Sequence, residues 1–447
     1  MPLAAVPPRQ PADATARAAV RRRAAGSRPA RAAAAAVAAL LAGAALAACS
    51  GPAGNARVAT VDASGDGILR IGLILDNTGN QDFLNASQLA AAKLAVKEIN
   101  AAGGHKGKPV ELLPEAVGTD TGARARDLVA AKADVVIGPT DSSRAADAID
   151  VLARAKVAVI SPANTAPGLT SYKSGGYYFR TAAADIAQAS VLVKLAKDGG
   201  AKTIAVVHEE GDYGKDVSVA VSAAAKAAGL GTSVDAEFKP GQARQAAAAA
   251  KQAAPDAVVL VARGGAQGAI AELNNAGLAG AKLILSDGAV NQYGAGLGSK
   301  ALDGARGVLP GTFPSAHFQA ELVAVDPGLK DMAYAAETYD AVNLAAIAAA
   351  EAEDDAGASI ASKLLAVSGG AAPSGGGDSG EAVACKGYQK CLDVLRGDRR
   401  PDYDGESGPV NFDSNGDVTV AAYMIYTFGP DNTAKMTGAE TARSSAS

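Results

Sequence analysis

The feature that most limits this chain is a set of seven short apolar stretches, at 68–75, 110–113, 134–137, 157–160, 203–207, 256–261 and 282–285. Each is nearly continuous in its apolar character rather than alternating. A strand with one wet face alternates, whereas a strand covered on both faces does not. Between these stretches the period changes to that of a helix. Residues 87–102 put Leu89, Ala92, Val96 and Ile99 on one face, and Gly103-Gly104 stop the run. Residues 142–155 begin with Ser142 and Ser143 as N-cap candidates and carry a stripe of Ala145, Ile149 and Leu152. Helical patterns also cover 185–198, 214–228, 242–253, 266–276, 315–325 and 331–350. Strand–helix repetition of this kind predicts an α/β fold of doubly wound parallel sheets flanked by helices. Ligands of such sheets bind beyond the carboxyl ends of the strands.

At 447 residues the chain is too long for one core and predicts two domains. The net charge of −4 hides an asymmetry. Residues 1–48 carry seven Arg and one acid, Asp13, which leaves 35 basic against 45 acidic side chains in the rest. A body that acidic, with no Trp and 4% aromatics, excludes a general nucleic-acid binder. Three His and three Cys give little material for a multi-His metal centre or an iron–sulfur cluster, and no cofactor is expected.

The first fifty residues read as an address. The Arg-rich stretch ends at Arg31, an uncharged run of mostly Ala follows, and it closes on Leu46-Ala47-Ala48-Cys49. A basic region, an apolar region and small residues before a cut describe a secretory signal, predicted over 1–48. Residues 49–67 read as a flexible tether. The Gly-rich stretch 369–380 reads as an exposed loop, and 431–447 as a C-terminal tail. Cys385 and Cys391 belong to an exported chain and are expected to pair. A straight helix would hold them about 9 Å apart, so the bridge requires a bend through 386–390.

The ending Leu46-Ala47-Ala48-Cys49 resembles the bacterial lipobox, which implies lipid on Cys49 and anchoring to the outer face of the cell membrane. A wider resemblance covers most of 68–430. Ile71-Gly72-Leu73-Ile74-Leu75 and the run 92–104 (AKLAVKEINAAGG) look like the opening of the type I periplasmic binding proteins, with the leucine/isoleucine/valine-binding branch nearest. Val136-Ile137-Gly138-Pro139, the run 159–167 (VISPANTAP), Tyr178-Phe179-Arg180-Thr181, Asp212-Tyr213-Gly214, Tyr339-Asp340-Ala341-Val342-Asn343 and the run 408–417 (GPVNFDSNGD) follow in the family's order. The resemblance implies a Venus-flytrap clamshell of two lobes joined by three crossing segments, near 181–185, 311–314 and 405–409. Lobe one is then 68–182 plus 313–405, and lobe two is 183–312 plus 406–430.

The same resemblance implies the site. Ser142 and Ser143, with free backbone N–H groups at a helix start, form an anion site for a ligand carboxylate. The backbone at Ala163 and the Thr165 hydroxyl add to it, and Asn164 stands where the family often has Ala. Tyr213 would close over the ligand, and Asp287 would meet its ammonium. Arg263 falls where a relative carries an aromatic contact. A guanidinium against an apolar ligand is unfavourable, so either the ligand is polar or acidic or Arg263 faces solvent. Phe83 and Tyr334 are further wall candidates.

Several motifs carry nothing. His208-Glu209-Glu210 is not a zinc-protease motif, Asp413–Asp417 has its Gly at the wrong offset for a calcium loop, and no G-x-S-x-G exists. The expected function is a solute-binding lipoprotein, not an enzyme. It would be a monomer that delivers an amino acid or amide to the permease of an ABC importer. The alternatives are the same clamshell as the sensing part of a signalling system and, more remotely, an α/β hydrolase.

Overall fold

The computed structural model describes residues 56–59, 61–78, 84–115, 120–370 and 382–443. The predicted signal 1–48, Cys49, the start of the tether, Phe83 and nearly all of the Gly-rich stretch lie outside the described residues.

The chain begins with β1 (Arg70–Leu73), α1 (Leu84–Ala101), β2 (Glu111–Leu112), α2 (Thr121–Ala130), β3 (Val135–Ile137), α3 (Ala145–Arg154), β4 (Ala158–Ser161) and β5 (Tyr178–Arg180). These five strands pair in parallel in the order β2-β1-β3-β4-β5. Next come α4 (Gln188–Asp198), β6 (Thr203–Glu209), α5 (Asp212–Ala227), β7 (Gly231–Phe238), α6 (Arg244–Gln252), β8 (Ala257–Val261), α7 (Ala266–Asn275), β9 (Leu283–Leu285) and β10 (Arg306–Pro310). Their strands repeat the order, β7-β6-β8-β9-β10, again in parallel. The chain then returns to the first sheet with α8 (Ala316–Val325), α9 (Ala335–Ala352) and α10 (Gly357–Val367). A two-stranded ribbon, β11 (Ala382–Cys385) and β12 (Arg400–Tyr403), follows with α11 (Tyr388–Arg396) between its strands. Finally β13 (Val420–Phe428) and β14 (Ala434–Arg443) extend the second sheet antiparallel beside β10.

The fold is therefore α/β, with two parallel sheets flanked by helices. β3, β4, β8 and β9 are buried along their whole length, as their unbroken apolar sequences require. α9 is buried almost all round because it packs against both α1 and α10. In each sheet the winding reverses between the first and third strands, β1/β3 and β6/β8. Loops leave such a reversal in opposite directions and open a crevice at the carboxyl ends of the strands.

Four boundaries differ from the sequence expectation. The segment 56–67 is docked rather than a free tether. Val58 is buried in the core with its backbone against Gly176, just before β5, and the Arg57 guanidinium lies over the Phe179 ring at 4.7 Å and donates to the Tyr178 carbonyl at 2.8 Å. The N–H groups of Ser64 and Gly65 donate to Asp354, and those of Asp66 and Gly67 to Asp355. The third crossing lies after Asp417, not at 405–409. Residues 405–407 are held by the buried Asp340 carboxylate, which accepts from Glu406 N, Ser407 N and Tyr403 Oη. Phe412 then packs on Phe179 with ring centroids 5.4 Å apart. So 406–417 belongs with the first sheet rather than with lobe two. Within the expected C-terminal tail, Ala434–Arg443 form strand β14, paired along β13. Finally, the Cys385–Cys391 bond spans Cα atoms 5.2 Å apart with a bend confined to Lys386-Gly387, where Gly387 takes φ 76°. The bend follows a strand, and the helix starts at Tyr388, so the bend is shorter than 386–390.

Candidate ligand-binding cleft

The loop after β3 is built on Asp76, a buried carboxylate that accepts from Thr140 N (2.8 Å), Asp141 N (2.9 Å) and Thr121 Oγ1 (2.8 Å). Asp141, not a serine, caps the short helical turn at Ser142–Arg144, accepting from Ser143 N at 2.9 Å and Ser143 Oγ at 2.6 Å. Ser143 is exposed and turned to this cap, so the structure does not bring it into the site.

Ser142 Oγ reaches across to the loop after β4 and accepts from Thr165 N (3.2 Å) and Ala166 N (3.4 Å). Ser161 Oγ similarly accepts from Asn164 N (3.0 Å) and Ala163 N (3.4 Å). The backbone N–H groups of Ala163, Asn164 and Thr165 are thus already paired with serine oxygens, and that of Ser143 with Asp141. What this edge offers a ligand is the O–H of Ser142 and the Thr165 hydroxyl. Asn164 is turned inward: it is buried, its Oδ1 accepts from Tyr178 Oη at 3.1 Å, and its carbonyl accepts from Arg180. It is a support of the loop rather than a cleft donor.

The facing edge comes from the second sheet. Tyr213, in the first turn of α5, sets its hydroxyl 2.5 Å from Asp287 Oδ1 and 2.9 Å from Ser286 Oγ. Gln188 at the start of α4 donates to Asp287 Oδ1 at 2.6 Å and accepts from Asp287 N at 3.0 Å. Arg263, in the turn between β8 and α7, stacks its guanidinium 4.0 Å from the centre of the Tyr213 ring. Its Nη2 donates to Asp185 Oδ2 at 3.2 Å. Asp185 N in turn donates to the Thr165 carbonyl at 2.8 Å, so the first crossing ties the two edges together.

Tyr213, Arg263 and Asp287 therefore come together, and Ser142 and Thr165 stand at the other edge. Burial, then the charge of Asp287, pushes the Asp185 carboxyl up to about 7, while Arg263 and the Thr165 hydroxyl pull it back down. Burial works against the Arg263 charge, but Asp185 and Asp287 outweigh it and hold the guanidinium above its ordinary value. Tyr334 heads α9 in a left-handed conformation. Burial first, then the charges of Asp287, Asp185 and Glu337, hold its phenol well above the usual range. Glu337 lies one turn on, pushed by burial up to about 7. With Thr181, Gly311 and Ser407 it lines a cavity of about 30 Å³ among the crossings.

Asp185, Gln188, Ser286 and Glu337 were not singled out by sequence. The available signal was the polar pair Asp185 and Gln188, three apart at a helix start just after the Tyr178-Phe179-Arg180-Thr181 motif. Among the described residues no group of three or more His, Cys, Asp or Glu is placed to hold a metal ion, and no helix is long and apolar enough to cross a membrane.

Two sheets of the same winding, joined by three crossings around such a cleft, define a bilobal binding protein. A family profile described as periplasmic binding protein matches residues 68–385, and the chain belongs to that family. The family is one of binding proteins rather than enzymes and implies a place outside the cytoplasm. The chain is similar to the Leu/Ile/Val-binding protein BraC3 of Rhizobium johnstonii, with 34% identity over 177 residues, 39% of this chain and 48% of that one. The match thus spans about half the length of the curated relatives. Among solved structures, the branched-chain amino acid substrate-binding protein LivJ of Streptococcus pneumoniae, in complex with isoleucine, shares the fold. Its TM-score is 0.58 and its identity 21%, over 84% of this chain and 100% of that one. A solute-binding protein of R. palustris in complex with 4-hydroxybenzoate gives a TM-score of 0.60 at 15% identity, over 84% of this chain and 98% of that one.

Proposed function

We propose that this protein captures a small amino-acid-like solute between its lobes, outside the cytoplasm, and delivers it to the permease of an ABC importer. The observation that carries this reading is the pairing of unlike edges. The hydroxyls of Ser142 and Thr165 stand at one, Asp287 with Tyr213 stands at the other, and Asp185, bonded through its N–H to the Thr165 carbonyl and through its carboxylate to Arg263, lies between them. Hydroxyl donors suit a carboxylate and the acids suit an ammonium, and neither ligand charge could be buried unpaired. The likeness to branched-chain amino acid binders supports the same reading. Capture by closure requires that the ligand bind the closed form more tightly than the open one. Cys49 would hold the mature protein to the membrane through lipid. The test is mass spectrometry of whatever co-purifies with the protein, followed by calorimetry against amino acids, amides and small carboxylates. Tight binding only of ligands without an amine would overturn the reading.

A further inference from the structure

The geometry points to Arg263 as the residue that selects the ligand's side chain, and to a side chain that ends in a neutral, planar oxygen acceptor: a carboxamide. This rests on the amino-acid reading above and narrows it.

Arg263 is fixed in the cleft wall by three independent features. Its backbone N–H donates to Glu209 Oε2 at 2.7 Å, and Gly265 N donates to the same oxygen at 3.1 Å, which sets the turn after β8. The guanidinium lies over the Tyr213 ring and is pinned at one end by Asp185. Gly288 makes room for the stem: a Cβ there would stand 2.5 Å from Arg263 Cγ and 2.6 Å from the Ala262 carbonyl. A stacked guanidinium presents its N–H groups in a plane, at its edges. Among the described residues only Asp185 takes a side-chain hydrogen bond from Arg263, and the side chain is 50% exposed. Its remaining N–H groups thus have no side-chain acceptor among the described residues and are open to a ligand, beside the acids proposed for the ammonium.

An aliphatic side chain closed over this group would strip water from a cation and return no hydrogen bond. An acceptor would satisfy it. Charge then chooses between acceptors. Asp185 and Asp287 already crowd two carboxyl groups around one guanidinium, and the zwitterionic backbone of an amino acid adds no net charge. A carboxylate side chain would add a further negative charge to a closed site, and a carboxamide adds none.

The experiment is calorimetry of the purified protein against glutamine, asparagine, glutamate, aspartate and leucine, in wild type, Arg263→Ala and Arg263→Lys. In wild type glutamine or asparagine should bind most tightly, roughly ten-fold or more above leucine, the size of a hydrogen bond to a charged group. Arg263→Ala should remove that advantage while leucine holds or gains. Arg263→Lys keeps a cation beside Asp185 but not the planar edge, so it should keep only part of the preference, and it reads selectivity even where the alanine variant does not fold. Leucine binding as tightly as the amides in wild type, or a preference untouched by both substitutions, overturns the inference and leaves the amino-acid reading standing. Glutamate or aspartate binding most tightly overturns the carboxamide assignment. No binding of any amino acid overturns both readings.

Discussion

Arg180 and Asp417 form a two-pronged ion pair inside the protein, Nε to Oδ1 at 2.6 Å and Nη2 to Oδ2 at 2.7 Å, with the arginine side chain wholly buried. Arg180 ends β5 and Asp417 closes the loop that precedes β13, so the pair joins the first and third crossings. Thr170 Oγ1 bonds both partners, and the Asn164 and Ala166 carbonyls accept from Arg180. Asp417→Ala would leave a buried guanidinium without its carboxylate. The expected cost is about 3–5 kcal/mol of stability. Chemical denaturation should show a clearly lowered midpoint, and a midpoint equal to wild type would refute this role.

Asp287 and Thr165 predict a graded loss of ligand affinity. Removing one partner of a buried charge costs about 3–5 kcal/mol, or roughly two to three and a half decades in affinity. Asp287→Ala should therefore nearly abolish binding. Thr165→Ala, which loses one hydrogen bond to a charged group, should cost only about 1.5–3 kcal/mol. Calorimetry with the co-purifying ligand checks both, and Asp287→Ala binding like wild type would remove Asp287 from the site.

The parts of this arrangement that the sequence showed are those set by local pattern. Unbroken apolar runs marked β1, β3, β4, β6, β8 and β9, and Tyr213, Arg263 and Asp287, each just after one of these strands, were visible through the family resemblance rather than through pattern alone. β13 and β14 were not: β13 is as apolar in sequence as the marked runs although buried only at alternate positions, and β14 is polar and exposed along most of its length. α2 escaped because its charged residues mask the stripe, although Arg124 is buried and donates to the Leu75 carbonyl. The inward turn of Asn164 and the pairing of Thr165 N with Ser142 depend on partners brought close by folding. So does the aim of Arg263, which rests on a ring fifty residues away and on Gly288.

Stability should fall as pH rises from about 5 to 8. Burial pushes Asp134, Asp185 and Glu337 up to about 7 and Asp340 up to about 6. Unfolded, such carboxyls titrate near 4. Between those values the folded chain holds more protons than the unfolded chain, so rising pH favours unfolding until the folded groups have ionised. His105 opposes this, because burial lowers its pKa and the unfolded chain then binds the extra proton below about 6.5. Four carboxyls against one imidazole leave the slope negative. Urea midpoints should be higher at pH 5 than at pH 8, and Glu337→Gln should flatten the difference; a midpoint that climbs over this range would contradict it.

The last prediction concerns the bridge between β11 and α11. Cys385 ends the strand and Cys391 lies in the second turn of the helix, six residues on, with both side chains buried. So short a loop removes little freedom from the unfolded chain, and the expected stabilisation is about 2 kcal/mol or less. The bond lies in the ribbon, away from Ser142, Thr165 and Asp287. Reduction, or the double substitution to Ser, should lower the unfolding midpoint modestly and leave ligand affinity unchanged. Thiol labelling of freshly exported protein, denatured without reductant, should find neither Cys385 nor Cys391. Labelling of both would show that the pair does not form in the exported protein. A lost ligand affinity on reduction would show that the ribbon reaches the cleft after all.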